Sequence, residues 1–258
     1  MAKYLTEFNT YAEYSAATLN LPNVSLIKST GDVYYKNIYA GAVLGDILMY
    51  DVANQKLVST IGSSWNTTMY PLASYEPIAI NVYPADQASD NKSRWMALRW
   101  ASNSSDTGNN AKVGMKWGLK STTLGEYTST DTTLLNGREN TTKALEFADG
   151  TTGNTQAAFA AFAACNRFRT SGTSAGDWYL PSKAELDLYK ANYSTINSKI
   201  QTIKDASSSI VSEVNANMWM STEGSSNENS YELYSSGIFS NQGGRSYSQN
   251  GCRAMLSL

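Results

Sequence analysis

The stretch Gly176-Asp177-Trp178-Tyr179-Leu180-Pro181-Ser182-Lys183-Ala184-Glu185-Leu186 passes from a strand rhythm to a helical one within a few residues. Trp178 and Leu180 alternate as a half-buried strand does, Pro181 pushes Leu180 out of the helical region, and Ser182 with Glu185 forms an S-x-x-E capping box. The expectation is a strand running directly into a helix. In such a box the Ser182 hydroxyl oxygen accepts from the Glu185 amide, and the Glu185 carboxylate accepts from the Ser182 amide. The reading is a helix cap beside a buried tryptophan, with no chemistry assigned to it.

On the N-terminal side, residues 1–40 read as a small α/β unit and residues 41–258 as the main domain. Thr10-Tyr11-Ala12-Glu13 is a second capping box, predicting a short helix through Ala17. Val24–Ile27 and Asp32–Tyr35 read as strands around a Ser29-Thr30-Gly31 turn. Gly45–Tyr50 and Lys56–Thr60 flank Asp51–Asn54 as a hairpin, and Ile78–Tyr83 with Arg94–Trp100 read as central strands. Asn154 is expected to cap a helix from Thr155 to about Phe168, with Ala158, Phe162 and Cys165 facing inward. Ile196, Ile200 and Ile203 mark a further helix ending near Asp205-Ala206-Ser207, and Met218–Ser221 the next strand. Helices against a twisted antiparallel sheet with much irregular loop make an α+β fold.

Composition narrows the function. Lys and Arg number 20 against 22 Asp and Glu, a net charge of -2 that exerts no pull on nucleic acid or an anionic membrane. There is no histidine, which removes the commonest general base and the commonest zinc ligand. Cys165 and Cys252 are too few for a disulfide scaffold and read as buried thiols. The opening residues lack the apolar run of a signal peptide and no stretch reaches the length of a membrane span, so the expected product is made in a cytoplasm and stays soluble.

From Ser221 to Asn250 the composition changes: nine Ser, four Asn, three Tyr and four Gly, with no Lys and no Asp. This is the palette of a paratope, in which Tyr supplies contact area at low entropy cost while Ser, Asn and Gly adapt their hydrogen bonding. Leu233, Gly237 and Phe239, with the closing Arg253-Ala254-Met255-Leu256, are expected to pin the strands that carry it.

Asp177-Trp178-Tyr179-Leu180-Pro181-Ser182, Glu185-Leu186, then Trp219-Met220-Ser221-Thr222-Glu223 and Arg253-Ala254, resemble the D-W-x-L-P-S-x-x-E-L, W-S-S-T-E and R-A pattern of C-type-lectin-like domains of gut phages and bacteria. The pattern extends weakly upstream to Asp149-Gly150, Asn154-Thr155 and Gly45-Asp46, covering most of the chain after residue 41. Met220 departs from the usual Ser and Cys252 from the usual Val. The domain is similar to those carrying the variable region of diversity-generating retroelement proteins such as phage tropism determinants. What this implies is a C-type-lectin-like fold, with twisted antiparallel sheets, two or three helices and long loops, behind an N-terminal unit whose opening resembles structural proteins of gut phages.

The resemblance further implies a variable, ligand-binding surface at residues 221–250. Asn227, Asn229, Ser230, Tyr231, Tyr234, Ser236, Ile238, Ser240, Asn241, Gln242, Arg245, Tyr247 and Asn250 fall where diversified positions of the family lie. An ordinary polar loop region on an undiversified relative is the alternative. Calcium-dependent sugar recognition needs an E-P-N or Q-P-D loop, which this chain lacks, and Glu223, Glu228 and Glu232 are expected to be solvated or, for Glu223, structural. Neither metal nor cofactor is expected.

The implied function is a virion protein, a head or tail fibre or adhesin. Its N-terminal unit holds other virion proteins while its head binds a bacterial surface protein or glycan noncovalently. A homotrimer is the expected assembly, a homodimer the second choice. The N-terminal unit read instead as a lid on the main domain remains open. Two other classes share the fold: a bacterial surface or secreted binder, and an enzyme akin to formylglycine-generating enzymes, whose paired cysteines and copper find a poor match in an inward-facing Cys165.

Overall fold

The computed structural model describes residues 42–60, 65–119, 123–150, 156–207, 217–226, 228–248 and 250–258, together with the backbone of four short N-terminal strands. Those strands are β1 (Leu5–Phe8), β2 (Val24–Ile27), β3 (Asp32–Tyr35) and β4 (Ile38–Tyr39), which form one sheet in that order. β1 and β2 run parallel, and β2 and β3 pair antiparallel from Val24 opposite Tyr35 to Ile27 opposite Asp32. Both strands expected in this segment are present, and β1 and β4 are additional. The expected helix after Thr10 and the Ser29-Thr30-Gly31 turn lie outside the described residues.

The main sheet contains β5 (Ile47–Asp51), β6 (Lys56–Ser59), β7 (Tyr75–Tyr83), β8 (Arg94–Ala97), β9 (Trp178–Tyr179) and β13 (Met255–Ser257) in the order β6-β5-β7-β8-β13-β9. All its pairings are antiparallel. The Asp51–Asn54 turn closes the β5–β6 hairpin as its chemistry predicts, with the Asn54 amide and side chain donating to the Asp51 carboxylate at 3.0 and 2.8 Å. β8 is shorter than expected, because beyond Ala97 the chain turns to form an isolated bridge between Trp100 and Asn109.

Four α-helices are present among the described residues: α1 (Gly137–Gly150), α2 (Ala160–Arg167), α3 (Asp187–Ala191) and α4 (Tyr193–Ala206). They cover both faces of the main sheet. Successive strand residues point to opposite sides, and the burial follows this alternation. Leu48, Ala79, Trp95, Ala97, Trp178 and Leu256 pack with Ala144, Ala148 and Phe162 of α1 and α2. Ile47, Met49, Ile80, Met96, Tyr179 and Met255 pack with Tyr189, Ile196, Ile200 and Ile203 of α3 and α4. Covering on both sides explains why β8 is buried at every position rather than alternating.

Two of these helices depart from expectation. α1 carries no apolar signal, because its buried stripe is Gly137, Asn140, Thr141, Ala144 and Ala148. α2 begins at Ala160 behind Phe159, well after the expected Asn154 cap, which lies outside the described residues. By contrast α4 buries the three expected isoleucines and ends at Ala206, within the Asp205-Ala206-Ser207 stretch as read. Cys165 and Cys252 are both free and fully buried, and burial pushes the Cys165 thiol well above its ordinary value.

The strand-to-helix junction forms both halves of the capping box. The Ser182 amide donates to Glu185 Oε2 at 2.8 Å and the Glu185 amide to Ser182 Oγ at 3.4 Å. What the box opens is a 3-10 turn at Ala184–Leu186 that leads into α3. Glu185 does more than cap: its Oε1 accepts from Arg94 Nε at 2.9 Å and from the Tyr179 hydroxyl at 3.0 Å. Arg94 in turn reaches Asp90 at 2.7 Å, so the cap is wired to the far end of β8. Gly137 abuts this cluster so tightly that a Cβ there would meet Leu180 O and Ser182 N at 2.8 Å, which is why α1 must begin with glycine.

Four tryptophans, Trp95, Trp117, Trp178 and Trp219, are fully buried in the first cluster. Each aromatic of this size removes roughly 150–250 Å² from water, about 4–6 kcal/mol at about 25 cal/mol per Å². Every indole N–H is also satisfied, by Ser93 Oγ at 2.7 Å, Met220 O at 2.6 Å, Thr173 Oγ1 at 2.9 Å and Met115 O at 2.7 Å respectively. The core therefore leaves none of these donors without an acceptor.

Candidate binding surface

Residues 218–244 form a second, three-stranded antiparallel sheet of β10 (Met218–Glu223), β11 (Asn229–Leu233) and β12 (Phe239–Gly244). β10 is buried along its whole length, since Trp219 belongs to one core cluster while Met218 and Met220 belong to the other. Leu233 stands opposite Met218 on one side and Phe239 on the other, so the apolar residues pin one end of the hairpin. At the other end Asn229 faces Gly244 and Ser230 faces Gly243. Glycine is required at 243, because a Cβ there would meet the Trp219 ring at 3.0 Å and Glu232 Cδ at 3.2 Å.

Beneath this sheet lies a sealed ion pair. Glu223 and Arg245 meet at 2.9 Å with both side chains at 0% exposure. Glu223 Oε1 also accepts from the Tyr127 and Thr128 amides at 2.9 and 2.8 Å, and Oε2 from the Gly125 amide at 2.7 Å. Arg245 donates to Asn229 O at 2.7 Å and lies over the rings of Trp117 and Tyr127, with its Cζ 4.9 and 5.8 Å from their centroids. Burial lowers the Arg245 guanidinium from its ordinary value, and the Glu223 charge opposes that shift. Loop 123–128, the β10 end and the segment after β12 are thus tied through one carboxylate.

The expected binding residues divide accordingly. Arg245 and Asn250 do not face outward: Arg245 is sealed against Glu223, and Asn250 donates from its side chain to Glu232 Oε2 with 1% exposure. Ser230 is fully buried beside them. Glu232, expected in solvent, is 3% exposed because its alternation on β11 turns it toward Trp219 and Asn250. Asn229, Tyr231, Tyr234, Ser240 and Asn241 are half-buried, Tyr231 packing against the second core cluster. Ser236, Ile238 and Tyr247 are exposed. Asn227 lies outside the described residues, as does the side chain of Gln242.

The exposed members sit at opposite ends of the β11–β12 hairpin. Ser236 and Ile238 are in the 234–238 turn, which is docked on α4: the Tyr193 hydroxyl donates to Ser235 O at 2.9 Å, and Gly237, at φ +78°, lies 3.2 Å by its would-be Cβ from the Tyr193 ring. Tyr247 stands at the other end, lying across Gly244 where a Cβ would come within 2.6 Å of its ring. A five-residue strand at about 3.4 Å per residue separates the two ends by about 14 Å. Lys183 and Lys190 sit over the Phe239 ring at 4.9 and 5.4 Å, closing the hairpin's flank against α3.

One signal in the sequence does point to the sealed pair. Arg245 is the lone basic residue between Ser221 and Asn250, in a stretch holding Glu223, Glu228 and Glu232. A solitary guanidinium among three carboxylates marks a partnered cation. Among the described residues, no group of three or more His, Cys, Asp or Glu side chains is placed to hold a metal ion. No helix of the described residues is long and apolar enough to cross a membrane.

No family model matches the chain and no curated protein matches it. Among solved structures it is similar to a fimbrial protein from Bacteroides ovatus ATCC 8483, with a TM-score of 0.50 and 17% identity, over 84% of this chain and 49% of that one. The likeness is one of fold. The match spans about half the length of the fimbrial protein.

Proposed function

We propose that the chain is a noncovalent binding protein displayed on an exterior surface, and that its C-terminal segment, carried on a C-type-lectin-like domain, is the face that meets the target. The observation that carries this is the division within residues 221–250. Glu223, Arg245, Glu232 and Asn250 are locked beneath the sheet, while Ile238 at 59% and Tyr247 at 63% exposure stand out from it. Large side chains left in solvent on a fixed, nearly uncharged rim are the anchors an interface uses.

The lectin-like assignment draws support from the capping-box junction at Ser182 and from the buried Trp178, Trp219 and Glu223 at the pattern's fixed positions. On the leading reading the protein is a virion fibre or adhesin. The N-terminal unit joins it to other particle proteins, the assembly is a homotrimer or else a homodimer, and multivalent display compensates for modest single-site affinity. The similarity to a fimbrial protein favours a second reading, display on a bacterial cell. No covalent step belongs to either.

Labelled protein incubated with intact gut bacteria tests the shared claim. Saturable binding that is lost in the Ile238→Ser/Tyr247→Ser double variant, with unchanged thermal unfolding, is the expected outcome. Equal binding by the double variant and the parent would overturn it. Immunogold labelling of purified particles against whole producing cells separates virion from cell display.

A further inference from the structure

Away from the C-terminal sheet, a cavity of about 180 Å³ opens between the start of β7 and two loops. Its lining includes Glu76 from β7, Arg99 from the segment after β8, Thr107 from the following loop, and Arg169, Thr170 and Ser171 from the loop between α2 and β9. None of these belongs to residues 217–258, so this concavity is separate from the surface described above.

Three features make it more than a surface dent. First, the Nε of Arg99 is buried without a hydrogen-bond partner among the described residues. A guanidinium N–H withdrawn from water and left without an acceptor is unfavourable, and an anion offers the acceptor it lacks. Second, Arg169 gives one nitrogen to Asp106 at 2.9 Å and its side chain is 54% exposed, so further guanidinium donors face solvent that a ligand can replace. Glu76 lines the same space and supplies an acceptor.

Third, the walls are fixed in advance. The Thr173 amide donates to Thr170 O at 3.0 Å, the Thr170 amide to Thr173 Oγ1 at 2.9 Å, and the Trp178 indole to that same hydroxyl at 2.9 Å. Gly172, at φ +76°, lies so close to Tyr50 that a Cβ would fall 2.8 Å from its ring. The two loops are joined where the Arg169 amide donates to Asp106 O at 2.9 Å. A pocket whose rim is already ordered loses little entropy on binding.

We propose that this cavity binds one hydroxylated sugar ring bearing a carboxylate, of the uronic-acid type. The carboxylate meets the Arg99 and Arg169 guanidinia, and the ring hydroxyls meet Glu76 and the Thr107, Thr170 and Ser171 hydroxyls. A planar carboxylate matches the fork of an arginine. A volume well below the roughly 300–1,000 Å³ of drug-sized pockets limits the occupant to a single ring. Monosaccharide affinity at such a site is weak and rises when acidic units repeat along a polymer.

Calorimetric and NMR titration of the full chain with glucuronate, glucose, acetate and inorganic sulfate tests the assignment. Glucuronate is expected to bind at least about tenfold more tightly than any of the other three. Arg99→Gln and, independently, Ser171→Trp at the exposed mouth are each expected to abolish that binding, with thermal unfolding reported alongside to show that both variants fold. The Ile238→Ser/Tyr247→Ser variant should bind glucuronate as the parent does, which separates this site from the C-terminal surface. Acetate or sulfate binding as tightly as glucuronate, no binding of glucuronate at millimolar concentration, or binding untouched by Ser171→Trp would each overturn the proposal.

Discussion

The Glu185 cluster and the Glu223 cluster are built from the same parts and solve different problems. Both place a carboxylate at 0–1% exposure against an arginine at 2.9 Å, and both carboxylates also accept from backbone amides, one at Glu185 and three at Glu223. Arg94, however, continues outward to Asp90, whose side chain is 40% exposed, so the Glu185 network vents to solvent. In the Glu223 pair both side chains are at 0% exposure, with Arg245 enclosed by Trp117, Tyr127 and the Asn229 carbonyl. The difference teaches that the junction is a joint that sets a helix on a sheet, whereas the C-terminal cluster is a foundation under a presented edge. Buried pairs of this kind hold geometry more than they add stability, because desolvation offsets most of the attraction.

The sharpest way to break the comparison is to remove one charge from the sealed pair. Glu223→Gln leaves Arg245 buried with an amide nitrogen facing it and is expected to cost about 3–5 kcal/mol in urea unfolding. Combining it with Arg245→Met should restore much of that loss, giving a double-mutant coupling well above the about 0.5 kcal/mol error of additivity. Additive effects would show that the pair is not a unit.

Alkaline titration sharpens it next. Tyr179 and Tyr189 are pushed up by burial from an ordinary value of 10.0, so they keep protons that the unfolded chain loses. Their contribution is complete below about pH 10 and falls as pH rises above it, by up to about 1.4 kcal/mol per pH unit for each. Arg253 works the other way: burial pulls it down to about 10 from 12.5, so above that pH the folded state sheds a charge the unfolded chain retains, and stability rises. Tyr189→Phe should flatten that limb between about pH 10 and about pH 11, read as the slope of unfolding free energy against pH. An unchanged slope would place the tyrosine in contact with water.

The smallest effect is expected at the presented edge. Ile238→Ser and Tyr247→Ser, at 59% and 63% exposure, should each leave stability within about 0.5 kcal/mol of the parent. A larger cost would mean that these side chains are packed, Tyr247 on Gly244 above all, and do not stand free in solvent.

Much of the fold was legible because local chemistry and tertiary need agreed. The S-x-x-E box, the Asp51–Asn54 hairpin and the isoleucines of α4 each announce themselves within a few residues, and each formed as read. α1 was not legible, because its buried stripe is small and polar: Asn140 donates to Ser221 Oγ at 3.1 Å, and the Thr141 hydroxyl accepts from the Leu180 amide at 3.0 Å. Such a face has no hydrophobic period to detect until the strands it bonds to are in place. The candidate surface was half legible for a related reason. Composition marks the segment as unable to form a core of its own, but it does not say which Asn or Arg turns inward.

The sequence by itself determined the capping box at Ser182, the β5–β6 hairpin, the isoleucine face of α4, the near-neutral charge, the absence of histidine and the paratope-like palette of residues 221–250. Only the tertiary structure decided that Arg245, Asn250 and Glu232 lie beneath that segment and Ile238 and Tyr247 above it, and that Arg99 and Arg169 share a cavity. The physical reason is range. Capping boxes and strand alternation are settled by neighbours three or four residues away. The side on which a polar group lies depends on whether a distant carboxylate, amide or ring is there to satisfy it once water has gone.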